Sequence, residues 1–304
     1  MSITVDALTP ELGRSSTRLA SDAEVLDRVH RTLGPVDVVA EHDGAHKVSR
    51  VLQVVTRGEE RAVVKWHRDA LPHGREDTAL QHHTPALSGD APRLVLSDPA
   101  LRLVVVSHVL GEQAAGTELE HDEAVHARAG ELLRRLHDSA PPVRHDRFGP
   151  IIAADFERWS TLADDLWGER GAEERHAARQ HVAATLDLGA LDHVPAHRQL
   201  HPRHWVVDPG GRVRFVDFAA FEFEPWSADL LWLEYGAWRD APALRAAFLH
   251  GYGRVPSERD ELVLGAVAAV RGLELLVRGE RRGHAAERML GRSILDRLLG
   301  TALF

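Results

Sequence analysis

No cysteine occurs in the 304 residues. Disulfides, thiolate metal sites and a cysteine nucleophile are thereby excluded. Lysine is nearly as scarce: only Lys47 and Lys65 stand among 37 basic side chains, the rest being arginine. A chain that uses arginine for almost every cation has a reason for a lysine kept inside an apolar strand, because the compact ammonium and the planar guanidinium do different work. There is no basic tail, and the net charge is −9. Nucleic acid and anionic membrane surfaces are therefore not expected as partners. An apolar run of about 18 residues, the length a membrane-spanning helix needs, is missing. Met1–Asp6 shows no charged segment leading into an apolar one, so no secretory signal is expected, and the expected location is the cytoplasm.

What remains is an ordinary globular composition, 44% hydrophobic and 27% charged, with enough length for two modest lobes. The 20 histidines are mostly scattered beside Arg, Asp and Glu, as on solvated faces, and do not suggest a metal store. Residues 1–20 read as an unpatterned arm. Ser21–Leu33 reads as an amphipathic helix with Ser21 as N-cap and Ala23, Leu26, Val29 and Leu33 on one face. Strands are expected at Val36–Ala40, Val48–Val55, Arg61–Trp66, Pro92–Leu96 and Leu101–Val106, with a short helix at Arg75–His83. Beyond Gly111 the pattern turns helical: Glu120–Asp138, Phe156–Trp167, Glu173–Leu188, Ala228–Trp238, Ala241–Tyr252, Ser257–Glu280 and Ala285–Leu299. The expected architecture is α+β, with a small β-rich lobe at 1–110 and a larger helical lobe at 111–304 that carries one β-hairpin. The cleft between such lobes is the default place for a site.

That hairpin gives the chain its most informative stretch. His197-Arg198-Gln199-Leu200-His201-Pro202-Arg203-His204 is polar and rich in histidine. Trp205–Val207 is apolar, Asp208-Pro209-Gly210-Gly211 is a turn signal, and Val213–Val216 is apolar again, ending on Asp217. A carboxylate delivered at a strand end beside a polar loop suits metal–phosphate chemistry.

The order of motifs resembles the aminoglycoside phosphotransferase / choline kinase family, small-molecule kinases with a two-lobed protein-kinase-like fold. Ala62-Val63-Val64-Lys65-Trp66 is similar to the strand whose lysine touches nucleotide phosphates. Arg75-Glu76-Asp77-Thr78-Ala79-Leu80 is similar to the helix whose glutamate pairs with that lysine. Leu103–Gly111 matches the strand and hinge that hold adenine through backbone groups, which implicates Ser107 and Val109. Glu131–His137 matches a helix ending in Leu-His, and Trp226–Leu230 an Asp-Leu helix start in which Asp229 is expected to brace the loop. Phe248–Tyr252 matches a recurrent late helix. Each motif alone is weak; their order and spacing carry the resemblance. It implies ATP, or another nucleoside triphosphate, and Mg²⁺ or Mn²⁺ as cofactors. It implies a small-molecule or peptide hydroxyl acceptor and a metal site at Asp217.

The loop departs from the family pattern His-Gly-Asp-Leu-His-Pro-Gly-Asn. Gln199 stands where the catalytic aspartate is expected, and His204 where the metal-binding asparagine is expected. Arg198 and Arg203 replace the two glycines. The phosphate-covering turn has one glycine, Gly44, with Glu41 and Asp43 nearby. Losing a general base typically costs about 10²–10⁴ in rate. Gln199 retains the ability to orient a nucleophile through hydrogen bonds, and His201 is the alternative base. His204 suits Mn²⁺ or Zn²⁺ better than Mg²⁺. Arg198 and Arg203 are expected to be able to grip a phosphate or carboxylate. Glu222, Glu224 and Glu234 are expected to attract an amine-bearing acceptor. Three readings stay open: an ATP-dependent O-phosphotransferase with a modified loop; a pseudokinase that binds a nucleotide or ligand and works through a protein partner; and the same fold re-used for other chemistry, with His201 as base or a transition metal at His204.

Overall fold

The computed structural model describes residues 19–42, 49–167 and 171–300. Residues 1–18 of the expected arm and the Asp43–Gly44 turn lie outside them, as does the chain past Gly300. The chain divides into two units: Met1–Glu120 with Pro202–Glu222, and His121–His201 with Phe223–Phe304.

Helix α1 (Asp22–Leu33) opens the first unit. Ser21 caps it as expected: its hydroxyl accepts from the Glu24 amide, and Glu24 reaches back to the Ser21 amide at 2.8 Å. Val25 and Val29 are its buried residues, and Ala23 is exposed. Gly34, at φ +76°, ends the helix. The strands are β1 (Val36–Glu41), β2 (Ser49–Thr56), β3 (Arg61–His67), β4 (Leu94–Asp98) and β5 (Leu103–Ser107), with α2 (Ala70–His82) after β3. They form one sheet in the order β1-β2-β3-β5-β4. The β-branched run that makes β3 a strand also suits its central place, since a strand covered on both faces needs apolar residues throughout. Its last four residues, Val64 to His67, are all buried. Leu52, Val54, Val64, Trp66, Leu103 and Val105 join Val25 and Val29 in the core. Helix α2 starts five residues before the expected Arg75. Pro72 lies in its first turn, where a missing N–H costs nothing, so it does not block the helix.

The chain leaves β5 through Gly111 to β6 (Glu112–Gln113). Gly111 has φ +140°, and a Cβ there would lie 2.5 Å from the Val207 carbonyl oxygen; only glycine allows that approach.

The second unit begins with α3 (Glu123–His137), β7 (Val143–His145), α4 (Phe148–Leu162), α5 (Gly171–Ala183) and β8 (Leu191–Ala196). Helix α4 starts well before the expected Phe156, again with a proline, Pro150, in its first turn. It ends at Leu162, short of Trp167. The expected hairpin follows as β9 (Trp205–Val207) and β10 (Val213–Phe215), pairing Phe215 with Trp205. With β6 it completes a sheet inside the first unit, in the order β10-β9-β6. Strand β11 (Glu222–Pro225) then joins a third sheet, β11-β8-β7, which the sequence pattern did not announce because its strands are short.

Helices α6 (Pro242–Tyr252), α7 (Glu258–Arg282) and α8 (Ala285–Gly300) close the second unit. Helices α3 and α6 meet at glycines. A Cβ on Gly251 would stand 1.9 Å from the Ala127 carbonyl oxygen, and one on Gly130 would stand 2.1 Å from that of Phe248. Helix α7 is apolar over most of its circumference and is buried among its neighbours. Ala228–Trp238 is not the expected α-helix. It is a 3₁₀ segment at Trp226–Leu230 and a π-helical turn at Leu233–Ala237, broken at Gly236 with φ −120° and ψ −105°. No helix among the described residues is long and apolar enough to cross a membrane.

Candidate functional site

The residues singled out from the sequence fall in both units, and each group is built within its own unit.

In the first unit β3 carries Lys65 and α2 carries Glu76. Lys65 is 8% exposed and Glu76 5%. The ammonium Nζ lies 3.1 Å from Glu76 Oε1 and 2.7 Å from Asp217 Oδ1. Two residues 11 positions apart and a third 152 positions from Lys65 thus meet as a buried cation between two carboxylates. Burial alone would lower the Lys65 pKa, but the two carboxylates outweigh it and raise the value, so the group stays charged. Burial likewise works to raise the Glu76 pKa, and Lys65 and His67 reverse it to a net lowering. Asp217 sits just past β10 at φ +66°, a left-handed conformation uncommon for a residue with a side chain. Its Oδ1 also accepts the Ala219 amide at 3.4 Å. Its other oxygen, Oδ2, lies 3.5 Å from His204 Nε2.

His204 is itself nearly buried, and its carbonyl accepts the Val216 amide at 3.0 Å, fixing it to the strand that delivers Asp217. Ser107 ends β5 with its N–H donated to the Arg93 carbonyl and its hydroxyl accepting the Arg93 amide. Val109 is half-buried just beyond.

The second unit holds the front of the loop. Asp229 is fully buried. Its carboxylate accepts the His197 amide at 2.7 Å, the Arg198 amide, and His137 Nε2 at 3.1 Å. Burial tends to raise its pKa, but the bond from His137 and the charges around it bring the value below the ordinary carboxylate range. The expected brace is therefore in place. Trp232 adds a second tie, its indole N–H donating to the Arg198 carbonyl at 2.7 Å. Gln199 is half-buried between these anchored residues and buried Leu200. His201 is half-buried, with its ring edge-on to Trp232 at 6.1 Å between centroids.

Two expectations about charge are corrected. Arg198 does not reach out for an anion: its Nε is 3.1 Å from Glu224 Oε1, with side chains only 8% and 12% exposed. The three carboxylates expected to attract an amine are likewise taken up internally. Glu222 pairs with Arg75 at 2.7 Å, Glu224 with Arg198, and Glu234 with Arg245 at 2.9 Å. Each of these acids already has an arginine, so its negative field is largely cancelled.

A metal ion would find Asp217 and His204 side by side, and no larger group of metal-binding side chains exists among the described residues. One carboxylate plus phosphate oxygens and water is enough for Mg²⁺, while the imidazole suits Mn²⁺ better. The donor set therefore fits a divalent ion that arrives with a phosphate-bearing ligand.

Sequence reasoning missed one member of this cluster, His67. Its Nε2 lies 2.7 Å from Glu76 Oε2. The available signal was its place two residues after Lys65, on the same face of the strand.

A family model described as the phosphotransferase enzyme family matches residues 44–262. No curated protein matches the chain by sequence. Among solved structures, a thermostable mutant of aminoglycoside phosphotransferase APH(4)-Ia in its apo form aligns with TM-score 0.67 and 15% identity. That alignment covers 91% of this chain and 99% of the other. Choline kinase LicA from Streptococcus pneumoniae aligns with TM-score 0.66 and 15% identity, over 90% and 99%. A ternary complex of a thermostable APH(4)-Ia mutant with ADP and hygromycin B aligns with TM-score 0.68 and 14% identity, over 92% and 99%.

Proposed function

The chain belongs to the phosphotransferase enzyme family, and from that premise we propose that it binds ATP, or another nucleoside triphosphate, and transfers the terminal phosphoryl group to a hydroxyl of a small molecule or peptide. The observation that carries the reading is the buried Lys65 ammonium held between Glu76 and Asp217. A charged lysine fixed on the central strand of a sheet, beside a carboxylate that can take a metal, is what a polyphosphate needs. The solved neighbour named for ADP supports the choice of nucleotide.

Lys65 would exchange a carboxylate for phosphate oxygens. Asp217 and His204 would hold Mg²⁺ or Mn²⁺, which when bound supplies the charge that neutralises the phosphates. Ser107 and Val109 would meet the base through backbone groups. Because the Ser107 N–H is committed to Arg93, its share would be its carbonyl.

Transfer breaks the bond between the terminal phosphorus and the bridging oxygen and forms one to the acceptor oxygen, while the hydroxyl proton leaves. A loose transition state asks more of positioning than of a base. Gln199 would orient the hydroxyl, and His201 would take the proton. The pairing of Glu222, Glu224 and Glu234 with arginines removes the electrostatic ground for preferring a polycationic acceptor.

A second reading is a nucleotide-binding protein without transfer, acting through a protein partner. Both Asp217 oxygens are engaged by the chain's own Lys65 and His204, and Gln199 cannot act as a carboxylate base; these favour it. A thermal-shift titration with ATP and Mg²⁺ or Mn²⁺ tests both readings, since anything that binds only the native state raises its melting temperature. No shift with any nucleotide would sink both. A shift with no ATP consumption across amine, neutral and peptide acceptors would leave the second. Where transfer is seen, Gln199→Asp should raise its rate. An unchanged rate would leave His201 as the base, and His201→Ala would then be the next substitution.

A further inference from the structure

The strand that carries Lys65 carries a second group aimed at the same carboxylate. His67 lies two residues on, and side chains at that spacing share a face of a strand. Its Nε2 is 2.7 Å from Glu76 Oε2, while Lys65 Nζ is 3.0 Å from that oxygen and 3.1 Å from Oε1. His67 is 2% exposed. Its backbone is pinned on both sides: the N–H donates to the Arg102 carbonyl at 2.9 Å, and the carbonyl accepts from Arg102 Nε at 3.1 Å. The ring therefore cannot drift from Glu76 without moving β3. Glu76 is an ionised acceptor with no proton to give, so the hydrogen in this bond sits on His67 Nε2.

Helix α2 adds a further contact. His73, one turn before Glu76, meets the His67 ring edge-on at 6.4 Å and reaches the Leu103 carbonyl at 3.3 Å through Nε2.

Two latches thus join β3 to α2, and they differ in kind. Lys65 divides its charge between Glu76 and Asp217, whereas His67 is committed to Glu76. Were Lys65 the only tie, drawing it towards a phosphate would leave a buried carboxylate unpartnered, which is costly. Building on the nucleotide reading above, we infer that His67 is a positioning residue: it holds Glu76 and α2 in register so that Lys65 can turn to the phosphates without releasing the helix. The group touches neither nucleotide nor acceptor in this role.

The test compares His67→Gln, His67→Asn and His67→Phe in the full-length protein. A glutamine amide nitrogen takes the place of imidazole Nε2, whereas asparagine stops one carbon short. The first readout is amide hydrogen exchange across Ala70–His82 without nucleotide. The second is the ATP dissociation constant from thermal-shift titration. Loss of one charge-assisted bond predicts exchange and dissociation constant each raised about tenfold in His67→Asn and His67→Phe, with His67→Gln within about threefold of the parent. Exchange in α2 that is the same in His67→Phe and the parent overturns the inference. So does a His67→Asn variant that matches His67→Gln. Should the parent bind no nucleotide, the nucleotide reading fails and the inference with it, even if the exchange ranking holds. Should His67→Phe not fold, the ranking of glutamine over asparagine still decides.

Discussion

Replacing Arg198 with glycine, the residue the family pattern places there, tests how this loop is held. Arg198 lies at φ +64°. A side chain in that region costs about 1 kcal/mol that glycine does not. On strain alone, Arg198→Gly would stabilise the protein. Against this stands the ion pair with Glu224, at 3.1 Å between side chains 8% and 12% exposed. Removing one partner of a buried pair costs about 3–5 kcal/mol, because the other charge loses its bonded cation; Arg271, whose charge also acts on Glu224, tempers that loss. The main-chain bonds to Asp229 and Trp232 use backbone groups and survive the change. The net expectation is a loss of about 2–4 kcal/mol. Adding Glu224→Gln removes the orphaned charge, so the double variant should recover most of that loss. Urea denaturation followed by tryptophan fluorescence measures all four proteins of the cycle. The coupling between the two positions should reach about 2 kcal/mol or more. An Arg198→Gly protein as stable as the parent, with negligible coupling to Glu224, would refute the reasoning and leave Arg198 as a strained surface substitution.

Burial holds His73, His83 and His181 below the ordinary imidazole pKa. The unfolded chain therefore binds more protons than the folded one below about pH 6.5, and stability is present above that value and falls as pH drops through it. Urea midpoints should be lower at about pH 5.5 than at about pH 7.5, with a smaller difference in His181→Leu; an equal or higher midpoint in acid would reverse the sign of the argument. Gly251→Ala places a methyl 1.9 Å from the Ala127 carbonyl oxygen and must force α3 and α6 apart. A loss of about 3 kcal/mol is expected from overpacking, and an unchanged melting temperature would count against so close an approach. Asp229→Asn removes the charge that accepts the His197 and Arg198 amides. It should cost about 2–3 kcal/mol and speed hydrogen exchange at those two amides; protected amides in the variant would show that other groups hold them.

Most of the fold was readable in the chain. The apolar run Ala62–Trp66 becomes the central strand, and the Asp208–Gly211 turn signal gives the expected hairpin, because both are set by local backbone preference and by period. The errors have local causes too. The helices expected to start at Arg75 and Phe156 begin earlier, with Pro72 and Pro150 in their first turns, where proline fits. Ala228–Trp238 has helical spacing, yet Gly236 departs from helical angles and the segment becomes a 3₁₀ and a π turn. The site was partly readable. Lys65, Glu76 and Asp217 were named from motif order and do meet. His67 was passed over because no motif marked it.

By itself the sequence determined the succession of elements, the family's motifs in their order, and the two substitutions, Gln199 and His204, that set this loop apart. Those are properties of neighbouring residues, and short-range sterics and periodicity write them directly. Only the tertiary structure decided where the charges go. Arg198 and the glutamates at 222, 224 and 234 looked like groups offered to a ligand, and each is matched inside the protein. Arg75 and Glu222 are 147 positions apart in the chain. No local pattern links such residues. Whether a charge faces a ligand or an internal partner depends on which distant segment folding brings within a few ångströms, and on how much water is excluded there.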